Sequence, residues 1–144
     1  MKFKIGDIIE FKDAAFRSAP KEFELTGANY VGRIDAIIKN IGPLRKGDHE
    51  FELWMEYYGE MNGRLYVWPD LVIRTIEDGH TAFPKELNPP LKLGTMVTFV
   101  DDKKNHLDEI EGYEYYFSGD EDRWQYKMKY SGFLMGTDEF EVKK

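Results

Sequence analysis

Apolar and polar residues alternate with a period of two in several stretches of this chain, and the clearest stretch is residues 51–57. Phe51, Leu53, Met55 and Tyr57 fall on one side, and Glu52, Trp54 and Glu56 on the other, as in a strand with one buried face. Residues 124–130 repeat the pattern, with Trp124, Tyr126, Met128 and Tyr130 predicted inside and the lysines between them predicted outside. Each stretch leads through a glycine-bracketed connection, Gly59 to Gly63 and Gly132 to Gly136, into a further strand, as in a hairpin whose loop needs positive φ.

These stretches belong to a unit written twice. Lys4-Ile5-Gly6-Asp7-Ile8-Ile9-Glu10-Phe11-Lys12-Asp13 matches Lys92-Leu93-Gly94-Thr95-Met96-Val97-Thr98-Phe99-Val100-Asp101 without a gap. The alternating strands follow, and the unit closes as Pro69-Asp70-Leu71-Val72-Ile73 and again as Asp138-Glu139-Phe140-Glu141-Val142. The middle strand aligns residues 30–38, from Tyr30-Val31-Gly32, with residues 110–117, from Ile110-Glu111-Gly112, only with a slip of one residue, which marks either a bulge or an incorrect alignment. Residues 80–90 hold Pro84, Pro89 and Pro90 and read as a linker. The predicted organisation is a first copy at residues 1–77, a proline-rich linker at 78–90 and a second copy at 91–144. Residues 13–27 and 40–49 are predicted loops of the first copy.

Composition supports strands: hydrophobic residues are 42% and aromatics 15% of the 144 residues, and aromatic side chains suit a pleated, half-buried surface. There is no cysteine, which excludes disulfides, thiolate metal sites and a cysteine nucleophile and makes the cytoplasm the expected compartment. The alternating N-terminus, Met1-Lys2-Phe3-Lys4-Ile5, is not a signal peptide, so the mature chain is expected to begin at Met1.

The opening, the alternating strand, the long first loop, the tight hairpin and the Pro-Asp-Leu-Val-Ile ending resemble the SH3-like small β-barrels, the group that includes Tudor and KOW modules. The resemblance implies an all-β fold of two tandem barrels packed together, with a 3₁₀ turn at Trp68-Pro69-Asp70. It also implies a recognition module, although a fold of this kind does not fix a function.

Charge narrows the choice of partner. The net charge is −7, and residues 101–122 carry all of it, since their nine acids face only Lys103 and Lys104. Such a field disfavours nucleic-acid phosphates and attracts basic protein surfaces. Tyr113, Tyr115, Tyr116 and Phe117 lie inside this run. The candidate partner-binding acids are Asp108, Glu109, Glu111, Glu114, Asp120, Glu121 and Asp122, together with Tyr116. A second candidate is the outer face of the first copy, where Trp54 and Tyr58 replace Lys127 and Ser131, with Tyr66 and Trp68 close in sequence.

No phosphate-binding glycine loop, Gly-x-Ser-x-Gly elbow or His-Glu-x-x-His motif occurs. The ligand-rich run Asp101–Glu109 lacks the spacing of a calcium loop. No cofactor and no metal are expected. The resulting expectation is a non-enzymatic protein-interaction module that binds a basic protein partner, with a nucleic-acid-handling enzyme among the candidates. The alternative is an acidic inhibitor imitating nucleic acid, of the phage or mobile-element type; a nucleic-acid-binding module comes third.

Overall fold

The computed structural model describes residues 2–12, 29–58 and 63–144. The predicted loop at 13–27 and Gly59 lie outside them. In chain order the strands are β1 (Lys4–Ile5), β2 (Ile8–Phe11), β3 (Tyr30–Ile41), β4 (Phe51–Tyr58) and β5 (Gly63–Val67). A 3₁₀ turn (Pro69–Leu71) leads to β6 (Val72–Glu77) and β7 (Thr81–Ala82). Then come β8 (Met96–Asp101), β9 (Lys104–Phe117), β10 (Asp122–Met128), β11 (Leu134–Met135) and β12 (Glu141–Val142). Among the described residues there is no α-helix, the pairings are antiparallel and no sheet closes on itself. Among the described residues no helix is long and apolar enough to cross a membrane.

The chain forms two compact units, each discontinuous in sequence. The first comprises Met1–Ile38, Phe51–Lys85 and Phe117–Glu121; the second comprises Lys39–Glu50, Glu86–Tyr116 and Asp122–Lys144. In the first the strands neighbour one another in the order β5-β4-β3-β2-β6, around a core that includes Ile9, Phe11, Tyr30, Ile34, Leu53 and Met55. In the second the order β11-β10-β9-β8-β12 repeats it, around Val97, Phe99, Ile110, Tyr126, Met128 and Phe140.

Backbone hydrogen bonds show how closely the copies correspond. Gly6 N donates to Ile34 O at 2.8 Å, and Ile34 N donates to Asp7 O at 2.9 Å. Gly94 N donates to Ile110 O at 2.8 Å, and Ile110 N donates to Thr95 O at 3.0 Å. Both glycines sit at positive φ, +93° and +86°, a conformation that costs a residue with a Cβ about 1–2 kcal/mol. Ile34 therefore corresponds to Ile110. Strand register agrees, pairing Ile9 with Gly32 and Val97 with Asp108. The middle-strand alignment that set Gly32 against Gly112 is thus four residues out of step: Gly32 corresponds to Asp108, and Gly112 to Ala36.

Two sequence expectations about sidedness and one about a strand's start also change. Leu53, Met55, Tyr126 and Met128 are buried and Phe51, Tyr57 and Trp124 are partly so, but Tyr130 is 67% exposed. Lys127, expected outside, is only 5% exposed. Gly136 follows β11 instead of opening it as Gly63 opens β5.

Candidate functional site

The outer face of the first unit is built on the alternation of β4. Leu53 and Met55 point into the core, so Trp54, Glu56 and Tyr58 lie on the opposite side. Cross-strand pairing sets Trp54 opposite Tyr66 and Glu56 opposite Arg64. The Trp54 and Tyr66 rings meet at 4.5 Å between centroids, tilted by 47°. Tyr66 is 54% exposed and Trp68, on the residue before the 3₁₀ turn, is 39% exposed. Aromatic rings held on strands offer large contact area with few rotatable bonds to freeze on binding.

Beside the rings lies a charge network that neutralises itself. Arg33 Nη2 donates to Glu56 Oε2 at 2.6 Å, Arg33 Nε to Asp35 Oδ1 at 3.0 Å, and Arg64 Nη1 to Asp35 Oδ2 at 2.7 Å. The Asp35 hydrogen bond, more than the opposing burial, holds Arg33 above its ordinary pKa. Burial pushes the Tyr58 phenol up; the Arg33 charge opposes this and the Glu56 charge reinforces it. Tyr58 stays protonated at neutral pH and, like Trp54, is partly buried; Tyr66 and Trp68 are the exposed members of the apolar row that Trp54 begins.

The matching face of the second unit is occupied by its own chain. Arg45 Nη2 reaches Glu111 Oε1 at 3.0 Å and Met128 O at 2.8 Å, and Arg45 Nη1 reaches Gly132 O at 2.8 Å. Lys127 Nζ donates to Asp48 Oδ2 at 3.1 Å. Residues 39–50 thus lie over the position where the first unit carries Trp54, and Lys127 is buried for that reason.

The acidic run does not form one surface. Asp108 is 1% exposed; its carboxylate accepts from Glu109 N and Tyr130 N, both at 2.8 Å, and from Ser131 N at 2.9 Å. Burial pushes this carboxyl up, but the hydrogen bonds from Tyr130, Ser131 and Glu109 together outweigh it and leave the group below its ordinary pKa. Asp108 belongs to the framework. It also explains Tyr130. At the corresponding Gly32 a Cβ would stand 2.7 Å from Glu56 O and 3.1 Å from Tyr57 Cα, so β4 runs directly against β3 there. In the second unit the Asp108 side chain fills that place, β10 ends at Met128, and Tyr130 turns outward.

The other acids divide. Glu109 lies 3.3 Å from Lys129 Nζ, and Glu111 is held by Arg45. Asp122 Oδ2 accepts from the Tyr115 hydroxyl at 2.9 Å; burial first, and then Asp122, push the Tyr115 phenol up to about 12. Arg123 lies over the Tyr116 ring at 4.2 Å. Glu114 is half-buried on β9, whereas Asp120 and Glu121 are exposed in the turn after it. Asp101 and Asp102 precede β9, at the β8–β9 hairpin.

Sequence reasoning missed a third feature, in the second unit. Val100, 67% exposed, and Phe133, 42% exposed, flank Phe99, whose ring stacks on His106 at 5.3 Å and meets Phe133 at 5.8 Å. An open hollow of about 550 Å³ and one of about 300 Å³ adjoin there, sharing Phe99, Val100 and Glu139. The exposed Val100 beside an inward Phe99 was the available signal.

Among the described residues no three His, Cys, Asp or Glu side chains gather as metal ligands would. In comparisons with known proteins, no family model, no curated protein and no solved structure matches the chain.

Proposed function

We propose that this chain is a non-enzymatic, cytoplasmic protein-interaction module made of two SH3-like small barrels, and that it binds a basic protein partner. The barrel reading is supported by the five-strand order found in both units, with the last strand returning beside the first after a 3₁₀ turn in the first unit. The observation that carries the binding reading is the row of half-buried Trp54 and exposed Tyr66 and Trp68 on a two-stranded edge, at a position where the sister unit carries Lys127 under its own residues 39–50. The net charge of −7 supplies a long-range field that accelerates encounter with a basic surface. A nucleic-acid mimic is the weaker reading, because Asp108 is inside and Glu109 and Glu111 are paired with cations, which breaks up any phosphate-like row.

The test is affinity capture from lysate of the source cells, with the wild-type chain and the Trp54→Ala/Tyr66→Ala variant as baits. The expected result is a basic protein retained by the first and lost from the second, with retention weakening as salt rises. Equal retention by both baits, or retention of RNA or DNA in place of protein, overturns the proposal.

A further inference from the structure

We infer that the second unit carries a separate docking site, the hollow around Phe99, Val100, Phe133 and Glu139, and that its occupant is a short extended basic segment bearing a large apolar side chain. This site is distinct from the aromatic face of the first unit and does not depend on it.

Shape and charge both point to that occupant. The larger hollow is floored by Phe99 and Phe140, which are buried, and walled by the exposed Val100. The adjoining one opens between Phe133, Leu134 and Met135. A third, of about 260 Å³, continues past Phe133 to Leu107 and Tyr130. Leu107 is half exposed and Tyr130 more so, so the apolar strip runs on beyond the deepest point. Apolar surface of this kind is stabilised when a partner's side chain removes it from water.

The rim is acidic. Asp138, Glu139 and Glu141 line the larger hollow, and among the described residues that line the three hollows there is no lysine or arginine. Asp101 also reaches the rim, but it pairs in register with Lys104 and stands next to Lys103, so the three carboxylates near the C-terminus carry the charge argument. An acidic peptide is repelled here, and a neutral apolar one leaves the rim without counter-charge.

The walls are held before anything binds. Asp102 and Lys103 both have positive φ, +51° and +62°, and close the β8–β9 hairpin as a tight two-residue turn. Asp108 fixes the backbone of Tyr130 and Ser131, and Gly136 N donates to Glu139 Oε2 at 2.9 Å while Glu139 N donates to Gly136 O at 3.0 Å. A site whose walls are already ordered loses less entropy on binding.

The experiment is an amide NMR titration of the full chain with the synthetic peptide Arg-Lys-Leu-Phe-Lys-Arg. Shifts are expected at Val100, Phe133 and Glu139. Phe133→Ser is expected to weaken binding about tenfold, and the peptide with Ser-Ser at its centre to bind weaker by a similar factor. Asp138→Asn with Glu141→Gln should weaken it by about threefold to tenfold and flatten its salt dependence. Trp54→Ala should leave it unchanged, which separates this site from the aromatic face. If Phe133→Ser loses its dispersed folded spectrum, Val100→Ser takes its place. Shifts centred on Trp54 and Tyr66, shifts spread evenly over the acids, equal binding by the Ser-Ser peptide, or no saturable binding each overturn the proposal.

Discussion

Replacing Asp108 separates a framework acid from a surface acid. In Asp108→Ala three backbone N–H groups, those of Glu109, Tyr130 and Ser131, lose a charged acceptor. Such hydrogen bonds contribute about 1.5–3 kcal/mol each, but Tyr130 and Ser131 lie at the surface, where water replaces part of what is lost, so the expected cost is about 3 kcal/mol. Asp108→Asn keeps an acceptor for the two bonds that share Oδ1 and loses the one to Ser131, for about 1 kcal/mol. Equilibrium urea unfolding of the full chain followed by circular dichroism reads both values. The pH dependence has a definite sign. The folded-state carboxyl lies below its ordinary value, so its contribution is complete above about pH 4, the unfolded aspartate pKa, and is lost as pH falls through the folded value. The gap between wild type and Asp108→Asn should therefore shrink in acid. A cost for Asp108→Ala under about 1 kcal/mol, or a gap that widens below pH 4, would refute the framework role.

The other expected outcomes concern burial. Asp48→Asn, which leaves the buried Lys127 ammonium without its carboxylate, should cost about 2–4 kcal/mol in thermal unfolding, whereas Lys127→Met should stay within about 1 kcal/mol of wild type. Gly32→Ala places a Cβ 2.7 Å from Glu56 O and should cost about 2–4 kcal/mol by urea titration; a cost near zero would mean that β3 and β4 separate easily. Asp122→Asn should lower the Tyr115 pKa from about 12, seen in the phenolate absorbance, while burial still keeps it above 10. Because that pKa is raised in the folded state, stability from Tyr115 is complete below pH 10 and declines as pH climbs towards 12.

The alternation at residues 51–57 and 124–130 correctly placed Leu53, Met55, Tyr126 and Met128, because a one-residue slip would turn every one of them to the other face. It failed where a distant residue intervened. Periodicity does not report where a strand stops, and Tyr130 lies past a stop imposed by Asp108, 22 residues earlier. Nor does it report what covers the polar side, so Lys127 was read as solvated although Asp48 lies against it. The glycine pair Gly32 and Gly112 attracted an alignment that the Gly6–Ile34 and Gly94–Ile110 hydrogen bonds replace. The aromatic row was legible from composition at the right parity. The hollow was legible only in Val100, an apolar residue at the polar parity beside Phe99, since Phe133 reads as part of a connection.

The two copies diverge at corresponding positions, and the divergence is what gives the first unit its candidate surface. Asp35 corresponds to Glu111 in the register that matches Ile34 to Ile110. In the second unit Glu111 is neutralised by Arg45, from a segment that also brings Asp48 onto Lys127. In the first unit Asp35 is neutralised locally by Arg33 and Arg64. The carboxylate is thus satisfied within its own sheet, and the face above it carries Trp54 and Tyr66 in place of a buried lysine. A covering loop whose arginine satisfies a glutamate is a requirement of folding; an aromatic row beside a charge network complete in itself is not. Exposed aromatics weaken solubility and add little to the stability of the unit that bears them, so their placement beside a charge network complete in itself is the strongest reason to look for a partner there.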